Sequence, residues 1–303
     1  MSIKTGRATG TARVRIDQAA CISCGKCVQV CCGAPLYMED GRVMVNQNRM
    51  FGCIGCGQCM AVCPQNCIEI YGRELSPEDR FELNPPEQRA DYQQLLALLE
   101  ARRSIRRYRD WPVSKEMVDK ILAAAATAPM GIPPSDVKVR VFHGRAEVAA
   151  FAADAVAFAH KWSWIFEWPL TLLWRLFCGK AMQELIETFL LPTADYLAEQ
   201  QAEGKDFLLY GAPLAMFFYG GAYNDPADAE VTATYAMLAA ESLGLGSCMI
   251  GTVLPLLKAS KALRSKYGFQ PDLRGGIMVV FGHPEVQYKR GVRRSFAEVR
   301  WES

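Results

Sequence analysis

The sequence predicts an α+β layer fold preceded by a small unit held together by metal clusters, and three observations point that way. Near the start, two cysteine runs of identical spacing lie 32 residues apart. Beyond residue 91, segments with helical periodicity are mixed with short apolar runs bounded by glycine, which read as buried strands. Those runs are too few to demand a doubly wound parallel sheet, so a mixed α+β arrangement is the expectation.

The first run is Cys21-x-x-Cys24-x-x-Cys27-x-x-x-Cys31 and the second is Cys53-x-x-Cys56-x-x-Cys59-x-x-x-Cys63-Pro64; together they take eight of the twelve cysteines. This is the spacing that ligates iron–sulfur clusters. Three thiolates two residues apart wrap three irons of a cubane, and the fourth cysteine of each run ligates the other run's cluster. One [4Fe–4S] cluster is therefore expected on Cys21, Cys24, Cys27 and Cys63, and a second on Cys53, Cys56, Cys59 and Cys31. Such crossing ties together a unit of roughly 60 residues, too small to build a large apolar core. Structural zinc takes its four ligands in two pairs and has no use for a third cysteine at equal spacing. Disulfides fit less well still, because no apolar signal segment opens the chain. Cys32, standing where the second run has Pro64, and Cys67 are surplus to two cubanes; both are expected as small buried thiols beside a cluster. Over about residues 12–73 the pattern resembles bacterial-type two-cluster ferredoxins.

A chain of 303 residues, half of them hydrophobic, can hold two units, one with a sizeable core. With 34 basic against 32 acidic residues, a nucleic-acid or polyanion binder is not expected. Residues 1–73 carry eight Lys/Arg against four Asp/Glu, an excess that thiolate-ligated clusters offset, so no partner is read from it. The longest candidate for a membrane span, 162–178, is broken by Glu167, Pro169 and Arg175 and falls short of about 18 uninterrupted apolar residues. The polar opening, Met1 to Ala12, lacks the apolar core of a secretory signal. Oxygen-sensitive clusters and free thiols then point to a reducing cytoplasm.

In order along the chain, residues 1–73 form the cluster unit, 74–91 a linker and 92–303 the larger domain. The linker holds six acidic and two basic residues with Pro77, Pro85 and Pro86. Tyr92 to Arg103 has a helical pattern, with Leu95, Leu98 and Leu99 on one face. Ser114 is placed to cap a helix carrying Met117, Val118, Ile121, Leu122 and Ala125, which stops near Pro129. Val137 to Phe142 alternates as a half-buried strand does, and Ala212 to Tyr219 and Gly276 to Phe281 read as buried strands. Between these last two, a helix from about Glu230 to Leu243 ends at Gly244.

Arg102-Arg103-Ser104-Ile105-Arg106 sets three guanidinium groups and a hydroxyl at a helix end, a chemistry suited to phosphate although common on solvated surfaces. In company it says more. Arg102 to Tyr108, Ala128-Pro129-Met130-Gly131, Leu243 to Gly251, Gly282-His283-Pro284 and Arg293-Arg294 together resemble the nitroreductase family of FMN enzymes across about residues 95–300. Members fused to a ferredoxin exist, and this chain is similar to those. The resemblance implies a nitroreductase-like FMN-binding α+β sandwich, preceded here by the ferredoxin-like unit. It also implies FMN phosphate and ribityl contacts from Arg102, Arg103, Ser104 and Arg106, with Arg293 reaching the same phosphate. Pro129, Met130 and Gly131 would lie along the pyrimidine edge of the flavin, and Met249, Ile250 and Gly251 near its N5 side. The family's usual Asn and Gln after that loop are absent; Ile132-Pro133-Pro134-Ser135 stands there, leaving the edge to backbone groups and Ser135. A degenerate flavin site, which would leave a bare iron–sulfur module, is opposed by Arg102, Ser104, Arg106 and Arg293.

A dinucleotide-binding reading of Gly244-x-Gly246 fails, because the segment closes a helix instead of opening one after a strand. Residues 150–207 form an aromatic-rich insertion with Trp162, Trp164, Trp168, Trp174, Phe158, Phe166, Phe177 and Phe189. These rings are expected as core or dimer contacts, with a cap over the flavin or a membrane-surface contact through Arg175 and Lys180 as alternatives. His143, His160 and His283 are not at metal-ligand spacing, and Cys178 and Cys248 read as buried neutral thiols. No acid–base residue stands out, so the catalytic side chains are not identified.

The expectation is thus a homodimeric flavin oxidoreductase fed through two clusters and reducing a small electrophile such as a nitroaromatic, quinone or activated alkene. Its electron donor would be ferredoxin, flavodoxin or NAD(P)H. The alternative is an electron relay between an external donor and a partner protein, in which FMN converts between one- and two-electron transfers.

Overall fold

The computed structural model describes residues 3–4, 7–166 and 179–302, with the backbone alone at 166. Trp168, Trp174, Arg175, Phe177 and Cys178, and the ring of Phe166, lie outside the described residues.

Two short antiparallel pairs frame the N-terminal unit: β1 (Arg13–Ile16) with β4 (Ile68–Tyr71), and β2 (Leu36–Glu39) with β3 (Arg42–Val45). Asp40 and Gly41 join the second pair with φ of 47° and 72°, two successive left-handed residues as a two-residue hairpin turn requires. The helical turns α1 (Lys26–Gln29) and α2 (Gln58–Val62) start behind Gly25 and Gly57, both left-handed. The cysteine repeat is therefore also a backbone repeat: Ser23 and Gly55, Gly25 and Gly57, Ala34 and Asn66 all have positive φ at matching positions. A left-handed residue between successive cysteines curls the chain, so that thiols two residues apart face one point. Ala12, Leu36, Val43, Met60, Ile68 and Ile70 supply the small apolar core. Residues 74–91 contain two short 3₁₀ turns, Pro77–Asp79 and Pro86–Gln88, and none of them is buried.

The larger domain is built on a four-stranded antiparallel sheet ordered β5 (Lys138–His143), β6 (Leu214–Gly220), β8 (Gly275–Gly282), β7 (Gly246–Ile250). Side chains of β6 alternate between two cores: Ala215, Phe217 and Tyr219 face one, Leu214, Met216 and Phe218 the other. On the first side lies α5 (Arg145–Lys161), through Val148, Phe151, Ala152 and Ala155. On the second lie α4 (Lys115–Ala125) and α8 (Pro226–Ser242), the latter with a stripe of Ala229, Ala233, Ala236 and Ala240. Burial on both faces explains why β6 is apolar at every position although its neighbours are antiparallel. The remaining helices are α3 (Tyr92–Ala101), α6 (Lys180–Leu185), which runs through a π-helical turn into α7 (Leu191–Ala202), then α9 (Val253–Ala259) and α10 (Lys261–Lys266). Ser114 caps α4 as expected, its hydroxyl accepting from the Met117 amide at 3.3 Å.

The α+β class is the one observed. Two elements differ from the reading of the sequence. The segment 246–250 is a strand, β7, hidden in the sequence by its small residues and by Gly244, which ends α8 two residues earlier. Residues 150–161, expected within the insertion, belong to the core helix α5, and Phe151, Ala152, Ala155 and Val156 are buried there. Trp162, Trp164 and Phe189 are 43%, 53% and 49% exposed, so these three are not core residues.

β7 starts with a glycine for a packing reason. A Cβ at Gly246 would lie 2.5 Å from Ile105 Cγ1, in a backbone pairing where the Ile105 amide donates to Ser247 O at 2.9 Å. Gly246→Ala is expected to cost about 1–3 kcal/mol, read from denaturant unfolding, and Ile105→Ala in the same chain should relieve part of that loss.

Candidate functional site

The eight repeat cysteines gather around two cavities. The first is lined by Cys21, Cys24 and Cys27 of one run and Cys63 of the other, together with Cys67. The second is lined by Cys53, Cys56 and Cys59 with Cys31. Each therefore collects three thiols from one run and the last thiol of the other. Val43 and Ile68 screen the first cavity, and Val14, Leu36, Ile54 and Ile70 the second. Burial pushes the Cys27, Cys53, Cys56 and Cys59 thiols up, Cys59 to about 12. Each cavity offers four repeat thiols behind an apolar screen, the donor set that a thiolate-ligated cubane takes. The donor set thus fits the [4Fe–4S] clusters that the spacing implies.

The surplus thiols behave differently from each other. Cys67 is buried as expected, with its Sγ 3.4 Å from Cys63 Sγ. Burial and then the adjoining Cys63 thiol push it up to about 12. Cys32, expected to be buried, is exposed; the buried position next to it is Gly33, packed so closely that a Cβ would meet Gly52 O at 2.6 Å.

In the larger domain, a cavity of about 840 Å³ lies between the end of α3 and the chain after residue 287. Arg102, Arg103 and Arg293 line it, joined by Arg290, Arg294 and Lys289. The volume is in the range of small-molecule sites, about 300–1,000 Å³, and the charge suits a dianionic phosphate. Asp91 starts α3 with a capping box, its carboxylate accepting from the Gln94 amide at 2.8 Å. The helix thereby delivers Arg102, its C-cap, and Arg103 just beyond its end. Glu241 of α8 lies near both; burial raises its carboxyl, and their charges oppose the shift.

Ser104 and Arg106 do not line that cavity. Both lie beside the Cys248 thiol of β7: burial pushes this thiol up, and the Arg106 charge and then the Ser104 hydroxyl oppose the shift. The Arg106 guanidinium also lies 5.6 Å from the centre of the Tyr210 ring. In the same strand Met249 is at the surface and Ile250 is buried, while a Cβ added to the following Gly251 would meet open space. Pro129, Met130 and Gly131 lie in the loop after α4, with Gly131 beside Asp228: a Cβ there would lie 3.9 Å from its Oδ2. Ser135 Oγ accepts from the Val137 amide at 3.1 Å. None of these loop residues lines the arginine cavity. The histidines have structural surroundings: His143 Nε2 is 2.7 Å from Val113 O, and His283 packs edge-on to Trp111 at 5.5 Å.

Sequence reasoning missed Glu241 and the run Tyr288 to Gly291 with Arg290. The density of cations at Lys289, Arg290, Arg293 and Arg294 was a usable signal; Glu241 gave none, since it is one acid on a long helix.

Both parts of the chain are similar to known proteins. The description "4Fe-4S dicluster domain" matches residues 13–64. Among solved structures, an FMN-bound nitroreductase from Bacteroides fragilis NCTC 9343 is 17% identical, with 69% of this chain and 99% of that one covered and a TM-score of 0.50. An FMN-dependent nitroreductase from Clostridium difficile R20291 is 18% identical over 70% of this chain and 100% of that one, with a TM-score of 0.49. One from Desulfitobacterium hafniense DCB-2 with bound FMN is 20% identical over 68% and 97%, at 0.48. At such identities the likeness is one of fold. No curated protein matches the chain. The nitroreductase family itself matches residues 99–283, more than half of the sequence, so the chain belongs to the nitroreductase family and carries a 4Fe-4S dicluster domain ahead of it.

Proposed function

We propose that this protein is an FMN-dependent oxidoreductase that draws electrons in through two [4Fe–4S] clusters and reduces a small electrophile, a nitroaromatic, quinone or activated alkene. One observation carries the reading: two cavities, each lined by four repeat cysteines, lie in the same chain as an arginine-lined cavity in a nitroreductase domain. When bound, the clusters supply electrons singly and FMN combines them in pairs for the substrate. The chain's own part is to hold and orient. Cys21, Cys24, Cys27 and Cys63 would grip one cluster, and Cys53, Cys56, Cys59 and Cys31 the other. Arg102, Arg103 and Arg293 would neutralise the FMN phosphate. Ser104, bridged through its backbone to Ser247, and Arg106, beside Cys248, would flank the strand that leads to Met249, Ile250 and Gly251 on the N5 side. Pro129, Met130, Gly131 and Ser135 would flank the pyrimidine edge with backbone groups.

A homodimer fits the surface. Helix α3 has no buried residue and exposes Leu95 and Leu99, and the chain beyond residue 285 exposes Val292, Phe296 and Trp301. Such a set of apolar side chains favours a second copy as cover. Among the described residues no helix is long and apolar enough to cross a membrane.

Anaerobically purified protein is expected to show flavin absorbance and about eight irons per chain. In stopped flow, reduced ferredoxin or flavodoxin is expected to reduce the flavin faster than NADH does, because a cluster inlet suits one-electron donors. Protein lacking flavin, or holding about two irons, would overturn the reading, and a rate with NADH alone would remove the inlet role.

A further inference from the structure

Arg73 stands where the two parts of the chain meet, outside every motif named above. It is 6% exposed, and Gly72, Arg73 and Glu74 run through three successive positive φ values, 102°, 52° and 62°. That run turns the guanidinium inward, behind the loop that carries Cys53 and Cys56. There Nε donates to Ile54 O at 2.8 Å, and Nη1 donates to Ile3 O and Gly10 O, each at 2.9 Å. The fourth bond leaves the cluster unit: Nη2 donates to Pro133 O, in the loop after α4, at 2.7 Å. All four acceptors are neutral carbonyls. A buried guanidinium bonded only to carbonyls keeps its full charge without a carboxylate to cancel it. The Ile54 carbonyl that Nε binds directly follows Cys53, which places the guanidinium charge beside a ligand of the second cavity. The backbone is fitted to this side chain, since a Cβ at Gly55 would touch Arg73 Cβ at 3.3 Å.

We infer that Arg73 is a positioning residue for internal electron transfer: its fork seats the Cys53–Cys56 loop on the 129–135 loop of the flavin domain, and its buried charge makes the cluster held by Cys53, Cys56, Cys59 and Cys31 the more easily reduced of the two. This rests on the electron-inlet reading above. A fixed positive charge beside a cluster favours its reduced form, which carries one more negative charge. The cluster beside Arg73 is then the exit, placed by hydrogen bonds against the loop whose residues 129–131 are assigned to the flavin edge. Each transfer oxidises that cluster by one electron and reduces the flavin by one; two transfers with solvent protons complete the flavin's reduction, and an external one-electron donor re-reduces the cluster.

The test uses full-length Arg73→Gln and Arg73→Lys proteins loaded with both cofactors, in a redox titration followed by electron paramagnetic resonance. The signal absent from Cys56→Ser protein identifies the cluster in question. Arg73→Gln is expected to shift that cluster's reduction equilibrium about tenfold toward the oxidised form, or about 59 mV for one electron, and to leave the other cluster in place. Arg73→Lys is expected to hold the potential, because the charge remains, but to slow flavin reduction by dithionite-reduced clusters about tenfold, because a lysine cannot span four carbonyls. An unchanged potential in Arg73→Gln, equal shifts of both clusters, or loss of iron from both variants would overturn the inference. Wild-type protein lacking two cluster signals would instead overturn the electron-inlet reading itself.

Discussion

Arg102→Ala combined with Arg293→Ala is expected to yield folded protein that retains its iron and loses its flavin. The two side chains approach one cavity from opposite ends of the larger domain, Arg102 from the C-cap of α3 and Arg293 from the chain after β8. A hydrogen bond to a charged group contributes about 1.5–3 kcal/mol, so removing two weakens phosphate binding on the order of a hundredfold or more. Stability should move little, because both residues border solvent and neither enters the cores on the two sides of the sheet. Glu241 sharpens the expectation. With Arg102 gone, Glu241 keeps only Arg103 of the two cations beside it, so the positive charge left for a phosphate falls further. Fluorescence titration of the flavin-free variant with FMN measures the loss, and iron analysis of the same sample checks that the cluster unit is intact. Retention of both flavin and iron would remove the phosphate assignment.

How much was legible in the sequence depended on whether the information was local. The cysteine spacing is local: thiols two residues apart, with left-handed residues such as Gly25 and Gly57 between them, can only curl round a common point. Their grouping into two sets of four follows from that curl and from the β1–β4 pairing that brings the ends of the unit together. Strands β6 and β8 were legible because burial on both faces leaves unbroken apolar runs. Strand β7 was not, because its β character comes from pairing with β8 and not from its own small residues, Gly246, Ser247 and Cys248. Arg73 was invisible for a related reason. Its partners Ile3, Gly10, Ile54 and Pro133 are backbone carbonyls from three separate segments, and a carbonyl has no signature in a sequence. The arginine site was half legible: the run at 102–106 drew attention as a unit, yet the fold sends Arg102 and Arg103 into the cavity and turns Ser104 and Arg106 to Cys248.

Cys63→Ser is expected to abolish the cluster of the first run, and Cys31→Ser that of the second, each lowering iron from about eight to about four per chain. Iron content alone does not separate this crossed arrangement from an uncrossed one, since either loses one cluster per variant. Pairs of substitutions do, because two ligands of one cluster are redundant losses whereas ligands of different clusters add. Cys24 lines the same cavity as Cys63, and Cys56 lines the other. The Cys24→Ser, Cys63→Ser double variant should therefore keep about four irons, and the Cys56→Ser, Cys63→Ser variant should keep none. An uncrossed arrangement gives the reverse. These proteins need a Cys67→Ala background, because a thiol 3.4 Å from Cys63 stands close enough to replace it as a ligand. Cys67→Ala alone should hold about eight irons, as its buried thiol is surplus once Cys63 is present. The crossing also sets the direction of failure: since each run supplies the last ligand of its neighbour, damage at Cys31 near the first hairpin is expected to silence the cluster beside Arg73, and damage at Cys63 is not.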